Sequence, residues 1–203
     1  MKLIVFEGID NCGKTTSAAV VNDYFNKITD LKTVLVQESK DKLFERLRKV
    51  KEIKIEHVFE LWAMRINVHK NIDQTTDVAF VDRYYDTTTV YQSGFLRIPE
   101  MYTINYSPKI FKKPDLTILL DIPADLSIKR KTKSDVFENA DKSIIESRRS
   151  KYLEIVEKQK VWRNFKVINT TNLTKEQMFE QCIDAVKEYL SKGGGISGSG
   201  STG

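Results

Sequence analysis

The chain has 203 residues, of which 40% are hydrophobic and 30% charged, and its 33 Lys and Arg against 28 Asp and Glu give a formal charge of +5. Cysteines at only Cys12 and Cys182, and histidines at only His57 and His69, exclude a disulfide framework and a thiolate or imidazole metal centre. No apolar run approaches the ~18 residues of a membrane span, and the start MKLIVFEGID turns acidic too soon for a signal peptide, so a soluble cytoplasmic protein is expected. The modest positive charge suits anionic ligands without choosing between nucleic acid and small substrates. Residues 193–203 (GGGISGSGSTG) are uncharged and Gly/Ser-rich and read as a flexible tail or cloning scar, leaving residues 1–192 as one domain.

In chain order, KLIVFE (2–7) is a short apolar run bounded by Gly8 and reads as a buried strand. A helix is expected over 15–27, a strand over 33–37 (TVLVQ), a basic helix over 42–50 and a longer helix over 55–73 carrying Leu61, Trp62 and Arg65. DVAFV (77–81) is a third strand ending on Asp82, followed by a short helix over 85–93. LTILL (116–120) is a fourth strand ending on Asp121, followed after Pro123 by a helix that gives way to a strongly polar stretch at 129–141, a candidate mobile lid. A helix over 143–162 and a fifth strand over 166–168 follow, and Thr174 with Gln177 forms a capping box for the last helix. Nearly all-apolar strands alternating with helices predict an α/β fold, a parallel sheet covered on both faces, with ligands beyond the carboxyl ends of the strands.

The first such end reads Gly8-Ile9-Asp10-Asn11-Cys12-Gly13-Lys14-Thr15-Thr16 and matches G-x-x-x-x-G-K-[ST] at every fixed position. Glycines let the backbone bring its N–H groups onto phosphate oxygens, and the next helix presents its N-terminus to the anion. Lys14 reaches β- and γ-phosphates and Thr15 can ligate Mg²⁺. Gly8, Asn11, Cys12, Gly13, Lys14, Thr15 and Thr16 are therefore the expected ATP-binding residues. A GTPase would carry N-K-x-D, and the nearest approach, Asn26-Lys27-Ile28-Thr29, lacks the Asp; a small phosphotransferase is the leading class.

Asp82-Arg83-Tyr84 closes the third strand. The Asp can hold Mg²⁺ and the Arg can clamp a phosphate with its planar fork. Thr87, Thr88, Tyr91 and Gln92 follow with hydrogen-bonding groups suited to a nucleoside. Arg65, among Leu61, Trp62 and Val68, needs a partner or a ligand, because a lone cation amid apolar residues is costly. Arg130, Lys131 and Lys133 in the polar stretch can supply charge to a transferring phosphoryl group.

FEGIDNCGKTT, LWAMR, DRYYDTTTVYQ, KPDLTILLDIP and KSDVFE together resemble, in order and spacing, the thymidylate kinase family. The resemblance covers most of residues 1–190. It implies a P-loop nucleoside monophosphate kinase fold with a five-stranded parallel sheet, and Mg²⁺-dependent phosphoryl transfer from ATP to dTMP. It also implies a homodimer that takes nucleotide substrates and binds neither nucleic acid nor membrane. Carried over by position, Asp10 contacts the sugar 3′-hydroxyl or the acceptor-phosphate network, Arg83 the dTMP phosphate, Arg65 the thymine edge and Thr88 the base. Tyr91 packs at the sugar, Asp82 sits by Mg²⁺, and Glu38, Leu61 and Thr87 complete the acceptor pocket. Lys14, Asp82, Arg83, Arg130 and Lys133 are the candidate catalytic residues. Three departures stand out. Asn11 stands where some members carry an Arg, which shifts that cation to the lid. Gln37-Glu38-Ser39-Lys40 replaces an Arg-Glu-Pro-Gly segment, and Leu61 replaces a Phe that stacks on thymine in many members. Other acceptors (dUMP, a modified thymine nucleotide, a deoxynucleoside) and a non-enzymatic nucleotide-binding module are the alternatives.

Overall fold

A computed structural model describes residues 1–70, 72–73, 75–95, 98–130 and 141–192. The strands are β1 (Lys2–Glu7), β2 (Thr33–Gln37), β3 (Val78–Asp82), β4 (Leu116–Asp121) and β5 (Phe165–Asn169). They form a single sheet in the order β2-β3-β1-β4-β5, parallel throughout. Between them run α1 (Lys14–Ile28), a single 3₁₀ turn at Glu38–Lys40, α2 (Lys42–Leu47), α3 (Ile55–Lys70), α4 (Tyr85–Gln92), α5 (Ile98–Asn105), α6 (Ala124–Lys129), α7 (Lys142–Gln159) and α8 (Lys175–Lys192).

Alternation along β1 builds a core on each face of the sheet. Ile4 and Phe6 join Ala18, Val21 and Phe25 of α1 and Cys182 and Val186 of α8. Leu3 and Val5 join Val58 and Trp62 of α3, Met101 of α5 and Phe111. Because both faces are covered, β1, β3 and β4 read as apolar runs rather than as alternating sequences. The central strand β1 feeds β2 and β3 on one side and β4 and β5 on the other. The carboxyl ends of β1, β3 and β4 therefore open on the crevice where this class of sheet holds its ligands.

The expected elements recur with shifted ends. α2 stops at Leu47 rather than at residue 50, α3 at Lys70 rather than at 73, and α7 at Gln159 rather than at 162. α5 is an addition: its eight residues are too few to display a period, and Pro99 lies in its first turn, where the missing N–H is harmless. The capping box at α8 forms in full, with Gln177 N–H donating to Thr174 Oγ1 (3.2 Å) and Thr174 N–H donating to Gln177 Oε1 (3.0 Å). Of the lid stretch expected at 129–141, residues 131–140, including Lys131 and Lys133, lie outside the described residues.

Candidate active site

The loop after β1 is held by close packing. Gly8 has φ 142° and Gly13 φ 104°, conformations that side chains rarely tolerate. A Cβ on Gly8 would lie 2.4 Å from the Leu120 carbonyl oxygen of β4, and one on Gly13 would lie 2.9 Å from Met178 Cε of α8. Asn11, at φ 59°, is a residue type that tolerates the left-handed region; its side-chain amide donates to the Ser127 carbonyl at 3.3 Å. Ser127 returns a bond from Oγ to the Asp10 carbonyl at 2.8 Å, so α6 clamps the loop. Cys12 is buried in the core, whereas Thr15 and Thr16 are exposed at the start of α1. Lys14 turns inward, with Nζ donating to the Ile9 carbonyl at 2.7 Å and lying 3.5 Å from Cys12 Sγ. The Thr15 hydroxyl donates to Asp82 Oδ2 at 2.5 Å, and the other carboxylate oxygen, Asp82 Oδ1, is buried with no partner among the described residues.

Across the crevice, the β3 ladder ends where Arg83 enters the left-handed region at φ 73° while its N–H donates to the Phe6 carbonyl at 3.0 Å. A non-glycine side chain is strained there, and the guanidinium lies against Asp10 of the phosphate loop. Arg83 Nη2 donates to Asp10 Oδ1, and the Tyr91 hydroxyl donates to Asp10 Oδ2 at 2.8 Å. Arg83 Nη1 is buried with no partner among the described residues. Burial raises the Asp10 pKa, but the charges of Arg83 and Lys14 and the Tyr91 hydrogen bond outweigh it and hold the carboxyl below its ordinary value.

The expected base-reading residues form a closed cluster. Arg65 is 1% exposed and pairs with Glu38 through Nη2–Oε1 at 2.7 Å and Nε–Oε2 at 3.2 Å, while Nη1 donates to the Thr88 hydroxyl. Leu61 packs with Leu47 and Met64, with Leu43 and Phe44 against them. Trp62 points to the other core and donates from its indole N–H to Asn105 Oδ1 at 2.8 Å. Thr87 is committed elsewhere: its hydroxyl donates to Glu7 Oε2 at 2.6 Å and lies 2.9 Å from the Tyr152 hydroxyl. Arg130 closes α6 and donates to the Thr170 carbonyl beyond β5 at 3.3 Å.

The family model for thymidylate kinase matches residues 6–181. The chain belongs to the thymidylate kinase family. It is 32% identical to the probable thymidylate kinase 1 of Saccharolobus solfataricus over 93% of this chain and 98% of that protein. It is also 32% identical to the probable thymidylate kinase of Methanococcus aeolicus, over 90% and 94%, and 28% identical to the thymidylate kinase of a Sulfurihydrogenibium species, over 91% and 96%. The α/β architecture with its all-parallel five-stranded sheet is the nucleoside monophosphate kinase fold of that family.

The hydrogen-bond pattern singles out residues that sequence reasoning passed over. Glu7, the last residue of β1, is buried and accepts from Tyr84 N–H (2.9 Å), Thr87 N–H (3.3 Å), the Thr87 hydroxyl and the Tyr152 hydroxyl (3.0 Å). It thereby ties the base of the phosphate loop to the turn that carries Arg83. Burial, with Asp86 adding and the Thr87 and Tyr84 hydrogen bonds opposing, pushes its pKa up to about 7. On α7, Arg149 forks onto Asp121 at the end of β4 (2.7 and 2.9 Å), and Arg148 reaches the Asp10 cluster. The signal for both arginines was available: Ile145, Arg148, Arg149, Tyr152 and Ile155 fall at helical spacing, so the two arginines share the inward face of α7.

Thr15 and Asp82 form an oxygen donor pair with one buried oxygen left over, the hard-ligand chemistry that Mg²⁺ takes. Glycine backbone, Lys14 and the α1 N-terminus on one wall, with Arg83 on the other, can bring two phosphate groups together in a crevice.

Proposed function

We propose that this chain transfers the γ-phosphoryl group of ATP to dTMP, giving ADP and dTDP, with Mg²⁺, as a cytoplasmic homodimer. The observation that carries the reading is the half-buried Arg83 guanidinium: Nη2 meets Asp10 of the phosphate loop, and Nη1 is buried with no partner among the described residues. A nucleoside acceptor has no phosphate to meet that group, whereas a nucleoside monophosphate does.

In this reading the loop N–H groups and the α1 N-terminus cradle the ATP phosphates, and Lys14 leaves the Ile9 carbonyl for them. Arg83 and Asp10 fix the acceptor phosphate, so the reacting oxygens are held in line by the protein rather than by collision. Thr15 and Asp82 would hold Mg²⁺, which when bound neutralises charge on the β- and γ-oxygens. Arg65 and Thr88 read the base, Tyr91 packs at the sugar, and the cation for the transferring group comes from Arg130, Lys131 or Lys133. Support for dTMP as acceptor comes from the family and from the thymidylate kinases to which the chain is similar. No helix among the described residues is long and apolar enough to cross a membrane.

A coupled ADP-release assay across nucleosides and nucleoside monophosphates tests the reading. dTMP should give the highest kcat/KM, with dUMP roughly tenfold lower because a single methyl separates them. Equal turnover of dCMP or dGMP, or preference for thymidine over dTMP, would overturn it. Sedimentation of the purified chain tests the homodimer.

A further inference from the structure

We propose that Glu7 is a positioning residue for the acceptor-phosphate arginine: it holds the backbone at Arg83 in the left-handed conformation that places the guanidinium beside Asp10. This rests on the reading that the acceptor is a nucleoside monophosphate. The two peptide groups that flank the Arg83 Cα are both tied to β1. The one before it donates from Arg83 N–H to the Phe6 carbonyl at 3.0 Å. The one after it donates from Tyr84 N–H to Glu7 Oε1 at 2.9 Å. The φ and ψ of a residue are the rotations that relate those two rigid planes. Fixing both planes against consecutive residues of one strand leaves Arg83 little freedom to depart from φ 73°. The first bond joins backbone to backbone and does not depend on the side chains at its ends. The second needs a side chain at position 7 that carries an acceptor at the right reach. Without it the turn can relax towards negative φ, where a non-glycine residue is unstrained.

The same oxygen also takes Thr87 N–H at 3.3 Å. Tyr84 is the N-cap residue of α4, and its side chain makes no capping bond. Glu7 therefore supplies, from another element, the acceptor that an N-cap side chain offers to the third residue of a helix. The other oxygen, Oε2, accepts from the Thr87 hydroxyl at 2.6 Å and from the Tyr152 hydroxyl of α7 at 3.0 Å.

The Glu7 carboxyl is 1% exposed and both its oxygens are engaged, so it is placed to act on the reaction through Arg83 and not by touching a ligand. α4 itself has further anchors. Asn105 donates to the Tyr85 carbonyl at 3.1 Å and to the Thr89 hydroxyl at 2.6 Å, and Arg163 pairs with Asp86 at 2.6 Å. The helix keeps these bonds when Glu7 is changed, whereas the peptide after Arg83 loses its acceptor.

The test is a double-mutant comparison on the full chain. Glu7→Asp, Glu7→Leu and Glu7→Gln are each made in wild type and in Arg83→Ala, and read as kcat/KM for dTMP, KM for ATP and the midpoint of urea unfolding. Asp keeps the charge but falls one methylene short of Tyr84 N–H, Leu fills the space without an acceptor, and Gln keeps Oε1. Glu7→Asp and Glu7→Leu should each lower kcat/KM for dTMP about 10- to 100-fold, the scale of misplacing a substrate-positioning group. KM for ATP should stay near wild type. In Arg83→Ala the same two changes should cost no more than about threefold, because the group they displace is already gone. Glu7→Gln should recover most of the loss. Two variants that lose the contact in different ways keep the test decisive if one of them does not fold. If the losses are equal with and without Arg83, Glu7 supports the fold at large, and the proposal falls. If Glu7→Asp and Glu7→Leu keep their turnover of dTMP, Arg83 holds its place unaided, and the proposal falls. If Glu7→Gln loses as much as Glu7→Leu, the charge matters and not the acceptor, and the proposal falls. Each of these three results leaves the acceptor reading intact. A wild type that prefers thymidine to dTMP overturns both.

Discussion

Two arginine–aspartate pairs flank α4, and they are built to opposite ends. Arg163 and Asp86 are 1% and 4% exposed, with Nη1–Oδ1 at 3.1 Å and Nη2–Oδ2 at 2.6 Å. Gln159 and Thr117 take further bonds from Arg163, and the faces of Phe165 and Tyr85 lie at 4.5 and 5.2 Å. Only Nε of that guanidinium lacks a partner. Arg83 and Asp10 are 16% and 13% exposed, joined through one nitrogen, with Nη1 buried and unpaired and the backbone strained. The first pair spends its fork inside the fold; the second keeps part of its fork for something else. The two pairs therefore differ in their terminal nitrogens: both are bonded to the aspartate at Arg163, and only one is at Arg83.

The comparison breaks first at Arg163. Arg163→Ala should cost about 3–5 kcal/mol of stability, since it strands the Asp86 carboxylate in the interior. Urea unfolding reads the loss, and specific activity per folded molecule should stay near wild type. A stability change within about 0.5 kcal/mol, the range of ordinary surface substitutions, would mean that the pair is not a structural one.

Arg83→Ala should do the reverse. We expect kcat/KM for dTMP to fall about 10²–10³-fold, the scale of removing one preorganised donor to transferring charge, with the midpoint of urea unfolding little changed. Unfolding at much lower urea, with kcat/KM retained, would put Arg83 in the class of Arg163.

Arg65 is the intermediate case, because its pair with Glu38 is closed yet lines the expected base pocket. Arg65→Gln should lower the preference for dTMP over dCMP by roughly tenfold, as expected when a pocket loses a polar contact to one base. Unchanged discrimination with lower stability would make the Glu38–Arg65 pair purely structural.

The last test concerns Glu7. Its pKa is raised from the ordinary 4.5 to about 7, so the folded state binds that proton more tightly than the unfolded chain. The associated stability is full below about pH 4.5 and is lost as pH rises through about 7. Glu7→Gln resembles the protonated carboxyl and should flatten that decline, so variant and wild type should diverge between pH 5 and pH 8 in thermal unfolding. Parallel profiles would show that the carboxyl keeps its ordinary pKa. Asp86 and Arg83 are the charged groups acting on Glu7, and they are common to both proteins.

Much of the sheet was legible in the sequence because a parallel strand buried on both faces is an apolar run bounded by breakers, as at KLIVFE before Gly8. The phosphate loop was legible because its chemistry fixes residue types at fixed local spacing. α5 was not: it is short, and Pro99 in its first turn reads locally as a breaker. Site residues became illegible wherever the partner is distant in sequence. Tyr152 meets Glu7 across 145 positions, and Arg65 meets Glu38 across 27, so neither pairing leaves a local pattern. Arg148 had a local signal, since the inward face of α7 cannot hold a cation for nothing, but what it faces is set by Asp10 and Tyr91, which the chain delivers much earlier.

The left-handed backbone at Arg83 has a consequence for how such a chain drifts under mutation. Holding a non-glycine residue at φ 73° costs about 1–3 kcal/mol, and glycine alone escapes that cost. A library screened only for heat resistance should therefore enrich glycine at position 83 and discard the guanidinium. Heat-selected survivors would then have to be sorted again by turnover, because survival and acceptor capture pull this one codon in opposite directions.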